Sequence, residues 1–277
     1  MGDAMQGALF GFAPTAAVDE RVAGEELRVC ALNVQSAGAS RARPLASWLV
    51  ETQCNVLALT ELRAGEGARA LLNALREEGY DVVCTVARPD EQYVTAVTTR
   101  GFDVARVVPE PDSARILAVD LSAAGRSVRL VTIYAPTNGM TPDSSTARAA
   151  FQRRCLDYLA SIRTPGFCVV GDLNVLDSTD QPCASVFERH DFEFYAGLLA
   201  LGVSDTHRTL HPEATQFSWV SDRLGAQRLD YAFADAAAGS LVGSDYDHEP
   251  RRQNLSDHAA VRTILRFAPE HDGATPG

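Results

Sequence analysis

FCVVGDLNV, Phe167 to Val175, is the stretch from which the rest of the chain can be read. Its apolar run Phe167, Cys168, Val169, Val170 predicts a strand buried on both faces. The run ends at Gly171, where backbone can approach a ligand closely. Asp172 and Asn174 follow two residues apart, so an extended chain aims both side chains the same way. A carboxylate beside a neutral amide at a strand's C-terminal end suits attack of water on phosphorus. The carboxylate can take the proton while the amide holds the water or a phosphate oxygen. By itself GDLN reads equally well as a strand running into an Asp/Asn turn. Its flanks give it weight.

Upstream, strands are expected at Leu27–Leu32, Asn55–Thr60, Tyr80–Val86, Tyr93–Thr99, Ala105–Val108, Ile116–Leu121 and Val128–Tyr134. Helices are expected at Arg41–Glu51, Gly65–Glu78 and Ser145–Arg163. The last places Phe151, Cys155, Tyr158, Leu159 and Ile162 on one face. Downstream come an irregular loop to about Glu188, a helix over Phe192–Ala200, and strands at Phe217–Val220, Arg228–Ala234 and Ala259–Phe267. Many strands with few long helices imply two packed sheets with helices outside them. Met1 to Glu26 is expected as a mobile leader, residues 27–267 as a single domain, and Ala268 to Gly277 as a disordered tail.

The net charge of -11 argues against a broad basic face for nonspecific nucleic-acid binding, although a bound metal can supply local positive charge. All 25 basic residues are arginine. Without lysine, Schiff-base chemistry, a lysine nucleophile and a P-loop lysine are excluded, and a phosphate clamp must use arginine, backbone amides or metal. The six cysteines form no CxxC pair, which fits a reduced, cytoplasmic protein. No secretory signal or membrane-spanning run is evident.

Polar residues recur where apolar strands stop: Asn33, Glu61, Tyr134, Asp172 with Asn174, Asp230, and Asp257 with His258. Singly, each has a bland explanation, such as a helix-start carboxylate or a surface histidine. Jointly they point to one pocket at the edge of the sheets. In this order, LRVCALNVQS, NVLALTELR, VRLVTIYAPTNG, FCVVGDLNV, FSWVSDRLGAQRLDYAF and NLSDHAAV resemble the endonuclease/exonuclease/phosphatase superfamily, the deoxyribonuclease I-like fold. The segment from FSW to SDH is most similar to the exonuclease III and abasic-site endonuclease branch.

The resemblance implies a four-layer α/β sandwich, two packed, mostly antiparallel β-sheets flanked by helices, and a divalent-metal phosphodiester hydrolase. Glu61 would be the main ligand for Mg²⁺ or Mn²⁺, with Asn33 beside it and Asp257 a further ligand or supporting group. Asp172 would orient or deprotonate water with help from Asn174. Tyr134 would contact phosphate, and His258, polarised by Asp230, would stabilise the growing charge. DNA is the expected partner, with a small phosphorylated metabolite, nucleotide or lipid headgroup as the alternative, and no membrane. A monomer is expected. A non-catalytic binding module is disfavoured by the intact set Glu61, Asp172, Asn174, Asp230 and His258. Two departures bear on specificity. Gln35 stands where the branch often has an acidic or amide ligand, and Gln227 where abasic endonucleases carry Trp. The segment Val220 to Gln227 is also short, so recognition of a flipped-out abasic sugar is in question.

Overall fold

In β1 (Glu26–Asn33), Leu27, Val29 and Ala31 enter one hydrophobic layer while Cys30 and Leu32 enter another. A strand apolar on both faces must lie between two layers, and the architecture follows from that. The computed structural model describes residues 25–137, 139, 141–179 and 186–267. After β1 come α1 (Ala39–Glu51), β2 (Val56–Arg63), α2 (Glu66–Glu77), β3 (Asp81–Cys84) and β4 (Tyr93–Thr99). Next are β5 (Asp103–Arg106), β6 (Ile116–Ala123), β7 (Arg126–Tyr134), α3 (Pro142–Ser161), β8 (Phe167–Asp172) and α4 (Arg189–Ala200). The remainder holds β9 (Ser204–Asp205), α5 (Thr206–Leu210), β10 (Trp219–Ser221), β11 (Gly225–Gln227), β12 (Asp230–Ala234), β13 (Ser240–Asp247), α6 (Glu249–Arg252) and β14 (Ala260–Arg266).

Two mixed six-stranded sheets result, ordered β13-β14-β1-β2-β4-β3 and β5-β6-β7-β8-β12-β9. Each contains one parallel pair, β1 with β2 and β7 with β8, among antiparallel neighbours. Leu27, Val29, Val56 and Ala58 from the first sheet meet Leu130, Cys168, Val170 and Ala232 from the second in a buried aliphatic layer. Outside the first sheet, Leu45, Trp48 and Leu49 of α1 and Leu71 and Leu75 of α2 cover Cys30, Leu32, Leu57 and Leu59. Outside the second, Phe151, Cys155 and Leu159 of α3 and Phe194 and Leu198 of α4 cover Val131, Ile133, Phe167 and Val169. The four layers expected from the sequence are therefore present.

Several boundaries differ from expectation, each for a physical reason. Glu26 belongs to β1 and not to the leader, because its carboxylate accepts from Arg28 (2.9 Å) and Arg266 (2.7 Å). β2 does not stop at Thr60. It continues through a bulge that places Glu61 at a φ of 54°. SLVGSDYD lacks an apolar run and does not read as a strand, yet as β13 it forms the edge of the first sheet against β14. The strand expected at Phe217–Val220 is a small hairpin, β10 with β11. The expected leader up to Gly24, the tail from Ala268 and part of the irregular loop lie outside the described residues. The five described cysteines are free thiols, and no described helix is long and apolar enough to cross a membrane.

Gly171 shows how tightly the site is built. Its φ is 129°, and a Cβ there would sit 2.2 Å from the Ile133 carbonyl oxygen. Only glycine lets β8 lie this close to β7.

Candidate active site

Parallel strands end at the same sheet edge, so β1 and β2 deliver Asn33 and Glu61 while β7 and β8 deliver Tyr134 and Asp172. Antiparallel β12 begins at Asp230, directly opposite Asp172. Asp257 and His258 immediately precede β14, which runs antiparallel to β1. Topology thus gathers all eight anticipated positions at one edge. Asn33, Glu61, Asp172, Asn174, Asp257 and His258 line a cavity of about 260 Å³. Asp230 and Tyr134 are buried beside it.

Two hydrogen-bonded units face each other. In the first, the Asn33 amide nitrogen donates to Glu61 Oε2 (2.9 Å) and to Asp172 Oδ2 (2.8 Å), clasping the two carboxylates. The Asn33 oxygen accepts from the Gln35 backbone N–H (2.8 Å), and Ser36 Oγ donates to Glu61 Oε1 (3.1 Å). In the second, His258 Nδ1 lies 2.7 Å from Asp230 Oδ2. Ser218 Oγ accepts the Asp230 backbone N–H (3.0 Å), and the Tyr246 hydroxyl donates to the Asp230 carbonyl (2.7 Å). Ser256 Oγ accepts the His258 N–H (3.1 Å) and donates to the Asn33 carbonyl (2.6 Å), tying the two units together.

The charges follow from burial and proximity. Burial, and then the facing Asp230 carboxylate, push the Asp172 carboxyl up to about 7. Burial works against a charged His258, but the Asp230 and Asp172 carboxylates outweigh it and raise the ring to about 10. Burial followed by the Asp172 and Glu61 charges raises the Tyr134 phenol, so it stays protonated. The Tyr134 ring is also held under the Arg115 guanidinium at 4.6 Å and edge-on to Tyr93 at 5.4 Å.

Asn174 arrives differently from expectation. β8 ends at Asp172, and Asn174 takes a φ of 51°, so the chain turns here instead of running extended. Its backbone N–H donates to Asp172 Oδ1 (3.0 Å), and its side-chain nitrogen donates to the Ala135 carbonyl (3.0 Å). Its Oδ1 accepts no hydrogen bond among the described residues.

The donor set fits a hard divalent cation. Glu61 supplies carboxylate oxygens, and Asp257 Oδ1 is a buried acceptor with no hydrogen-bond partner, while its Oδ2 accepts from Trp219 Nε1 (3.1 Å). Asp172, Asp230 and His258 also bring donor atoms within 4.8 Å of one another, though His258 Nδ1 is already committed to Asp230. Asn33, anticipated as an oxygen ligand, instead turns its N–H toward the site, because two carboxylates flank it. Gln35 is not in the cavity wall; its Oε1 accepts from Arg41 (3.1 Å).

Among the wall residues that the sequence pattern does not mark as part of the site are Trp219, Phe187 and Arg148. Trp219 sits within FSW, but only its contact with Asp257 reveals its place. Phe187 lies within the stretch expected as an irregular loop and carries no signal of its own. Arg148, 2% exposed in its side chain, pairs with Asp191 (2.7 Å) and donates to the Asn174 carbonyl. A signal for it existed: Arg148 falls on the apolar face of α3, three residues before Phe151 and seven before Cys155.

No family model matches the chain, and no curated protein matches it by sequence. Solved structures do. An AP endonuclease from Archaeoglobus fulgidus superposes with a TM-score of 0.72 at 20% identity, covering 86% of this chain and 99% of that one. An AP endonuclease, LMAP, from Leishmania major gives 0.71 at 19% identity, covering 89% of each chain. A 3′ phosphatase, NExo, from Neisseria bound to a product DNA hairpin gives 0.68 at 20% identity, covering 86% and 99%. The chain therefore has the fold of these proteins, the deoxyribonuclease I-like fold.

Proposed function

We propose that the protein is a divalent-metal-dependent phosphodiester hydrolase, and specifically a DNA nuclease of the exonuclease III or abasic-endonuclease type. The observation that carries this reading is the Asp172 carboxyl, held by Asn33 and facing the Asp230–His258 pair across one cavity. A carboxyl tuned toward neutrality is matched to accept a proton from water. The free Asn174 oxygen holds that water in line. His258, kept protonated by Asp230, donates from Nε2 to a phosphate oxygen as charge builds there. The protonated Tyr134 hydroxyl, buried beside the cavity, is a further donor toward phosphate. Glu61 and Asp257 are the residues to hold Mg²⁺ or Mn²⁺, which when bound neutralises phosphate charge. Water is the nucleophile, so no covalent enzyme intermediate forms.

DNA as substrate is supported by the DNA-processing neighbours, one of them bound to a DNA product. A small phosphorylated substrate is the second reading, favoured by the net charge of -11 and by Gln227, which lines the cavity on the short β10–β11 hairpin. The test is Mg²⁺-supported cleavage of an abasic-site duplex, a blunt 3′-labelled duplex and bis-p-nitrophenyl phosphate, by the wild type and His258→Ala. Duplex cleavage that is lost in the mutant and declines steeply with salt supports the nuclease, and the products separate endo from exo cleavage. Turnover of the small diester alone moves the function to a small substrate. No metal-dependent turnover of any of the three rejects the hydrolase.

A further inference from the structure

We propose that His207, His211 and Asp245 form a divalent transition-metal site, apart from the Asp172 cavity, that fastens α5 to β13. α5 follows β9 of the second sheet, whereas β13 is the edge of the first, so an ion here bridges the two sheets. His207 and His211 are four residues apart and share a face of the helical turn, with ring centroids 4.7 Å apart.

The decisive atom is His207 Nε2. The ring is 97% removed from solvent, at 3% exposure, and its Nδ1 lies 3.0 Å from the Ser244 carbonyl oxygen. A carbonyl accepts only from N–H, so Nδ1 carries the proton and Nε2 presents a lone pair. That lone pair is buried and unpartnered. Buried polar atoms are rarely left so, and a ring held through Nδ1 by a backbone carbonyl is oriented as metal-binding histidines are.

The other two donors complete the set. His211 Nε2 is likewise buried without a hydrogen bond and lies 3.3 Å from Asp245 Oδ1. Two donors about 2.0–2.1 Å from one tetrahedral ion stand roughly 3.3–3.4 Å apart, so this spacing already suits shared coordination. The three ligand atoms lie within 4.8 Å of one another, and Asp245, 75% exposed, opens the site to entering ion and to water. Two imidazoles and one carboxylate select a Zn²⁺-like ion over Mg²⁺, unlike the oxygen donors of Glu61 and Asp257. The His207 ring also packs edge-on to Tyr246 at 4.9 Å, whose hydroxyl supports the Asp230 backbone. A bound ion therefore braces the strand that carries Asp230.

Calorimetric titration of the full chain with Zn²⁺, in excess Mg²⁺ to occupy the Glu61 side, tests this directly. The wild type and Glu61→Gln should each take up a single Zn²⁺ and gain thermal stability. His211→Asn and Asp245→Asn, both at solvent-reached positions, should bind about tenfold or more weaker and lose that gain. Absence of Zn²⁺ uptake by the wild type, unchanged uptake in His211→Asn, or uptake lost in Glu61→Gln would each overturn the site.

Discussion

Asp230 stands directly across the antiparallel β8–β12 ladder from Asp172, so two carboxyl groups, each 1% exposed, share one buried place. Among the described residues, only Asp230 is hydrogen-bonded to the cationic ring, with His258 Nδ1 2.7 Å from its Oδ2. On the proposed mechanism this asymmetry divides the roles: Asp230 holds a charged ring, and Asp172 is left to exchange a proton.

Asp172→Asn should therefore lower kcat by about 10²–10⁴-fold, the range for loss of a general base. Metal binding at the Glu61 side should survive, as Mg²⁺ titration will show. Glu61→Gln should do the reverse first, raising the Mg²⁺ concentration needed for half-maximal activity. Near-full turnover by Asp172→Asn would remove the base from the mechanism.

The same groups fix how stability depends on pH. Asp172 rises from an ordinary 3.8 to about 7, so the folded state binds its proton more tightly than the unfolded state. In chelator-treated protein its contribution must fall as pH climbs between those values, and Asp172→Asn should flatten that part of the curve. His258 rises from 6.5 to about 10, so its contribution is full below 6.5 and is lost as pH passes 10. Denaturant midpoints across this range measure both. In turnover, the base requires an acid limb and the His258 donor an alkaline limb.

Arg148→Met should strip the buried Asp191 of its guanidinium partner, leaving the His190 ring (3.1 Å) beside it, and cost about 3–5 kcal/mol of stability. Gln152 Nε2 also donates to Asp191 (2.7 Å), so Arg148→Met with Asp191→Asn should recover part of that loss. Because Arg148 holds the Asn174 carbonyl, the double variant should still show reduced kcat. Restored stability with wild-type kcat would limit Arg148 to a structural part.

Gly171→Ala should destabilise the domain by about 2 kcal/mol or more, since the new methyl meets the Ile133 carbonyl and the φ of 129° disfavours it. A thermal melt suffices. A neutral result would mean that β7 and β8 can part without consequence.

Much of this was legible in the sequence because the strands around the site are apolar on both faces and stop abruptly at polar residues. FCVVGDLNV marks β8 nearly to the residue, and Asp172, Asp230 and His258 stand where apolar runs stop. The misses have a common origin. β13 hides because an edge strand needs no continuous apolar run, and Asn174 turns where extension was expected because the Ala135 carbonyl captures its amide. Trp219 and Arg148 act through contacts distant in sequence, with Asp257 and Asn174 respectively. Local pattern cannot display such pairings, although the arginine on the apolar face of α3 did mark itself.

Asn33 and Glu61 ride on one sheet, Asp172 and Asp230 on the other, and between the sheets lies the layer of Leu27, Val29, Leu130 and Val170. That filling behaves as a gauge block: its thickness sets the gap across which, on the proposed mechanism, the cation side and the proton-accepting side must cooperate. A methylene added or removed there, far from any substrate, alters reaction geometry as well as folding, and the interior of this protein is thereby part of its alignment machinery.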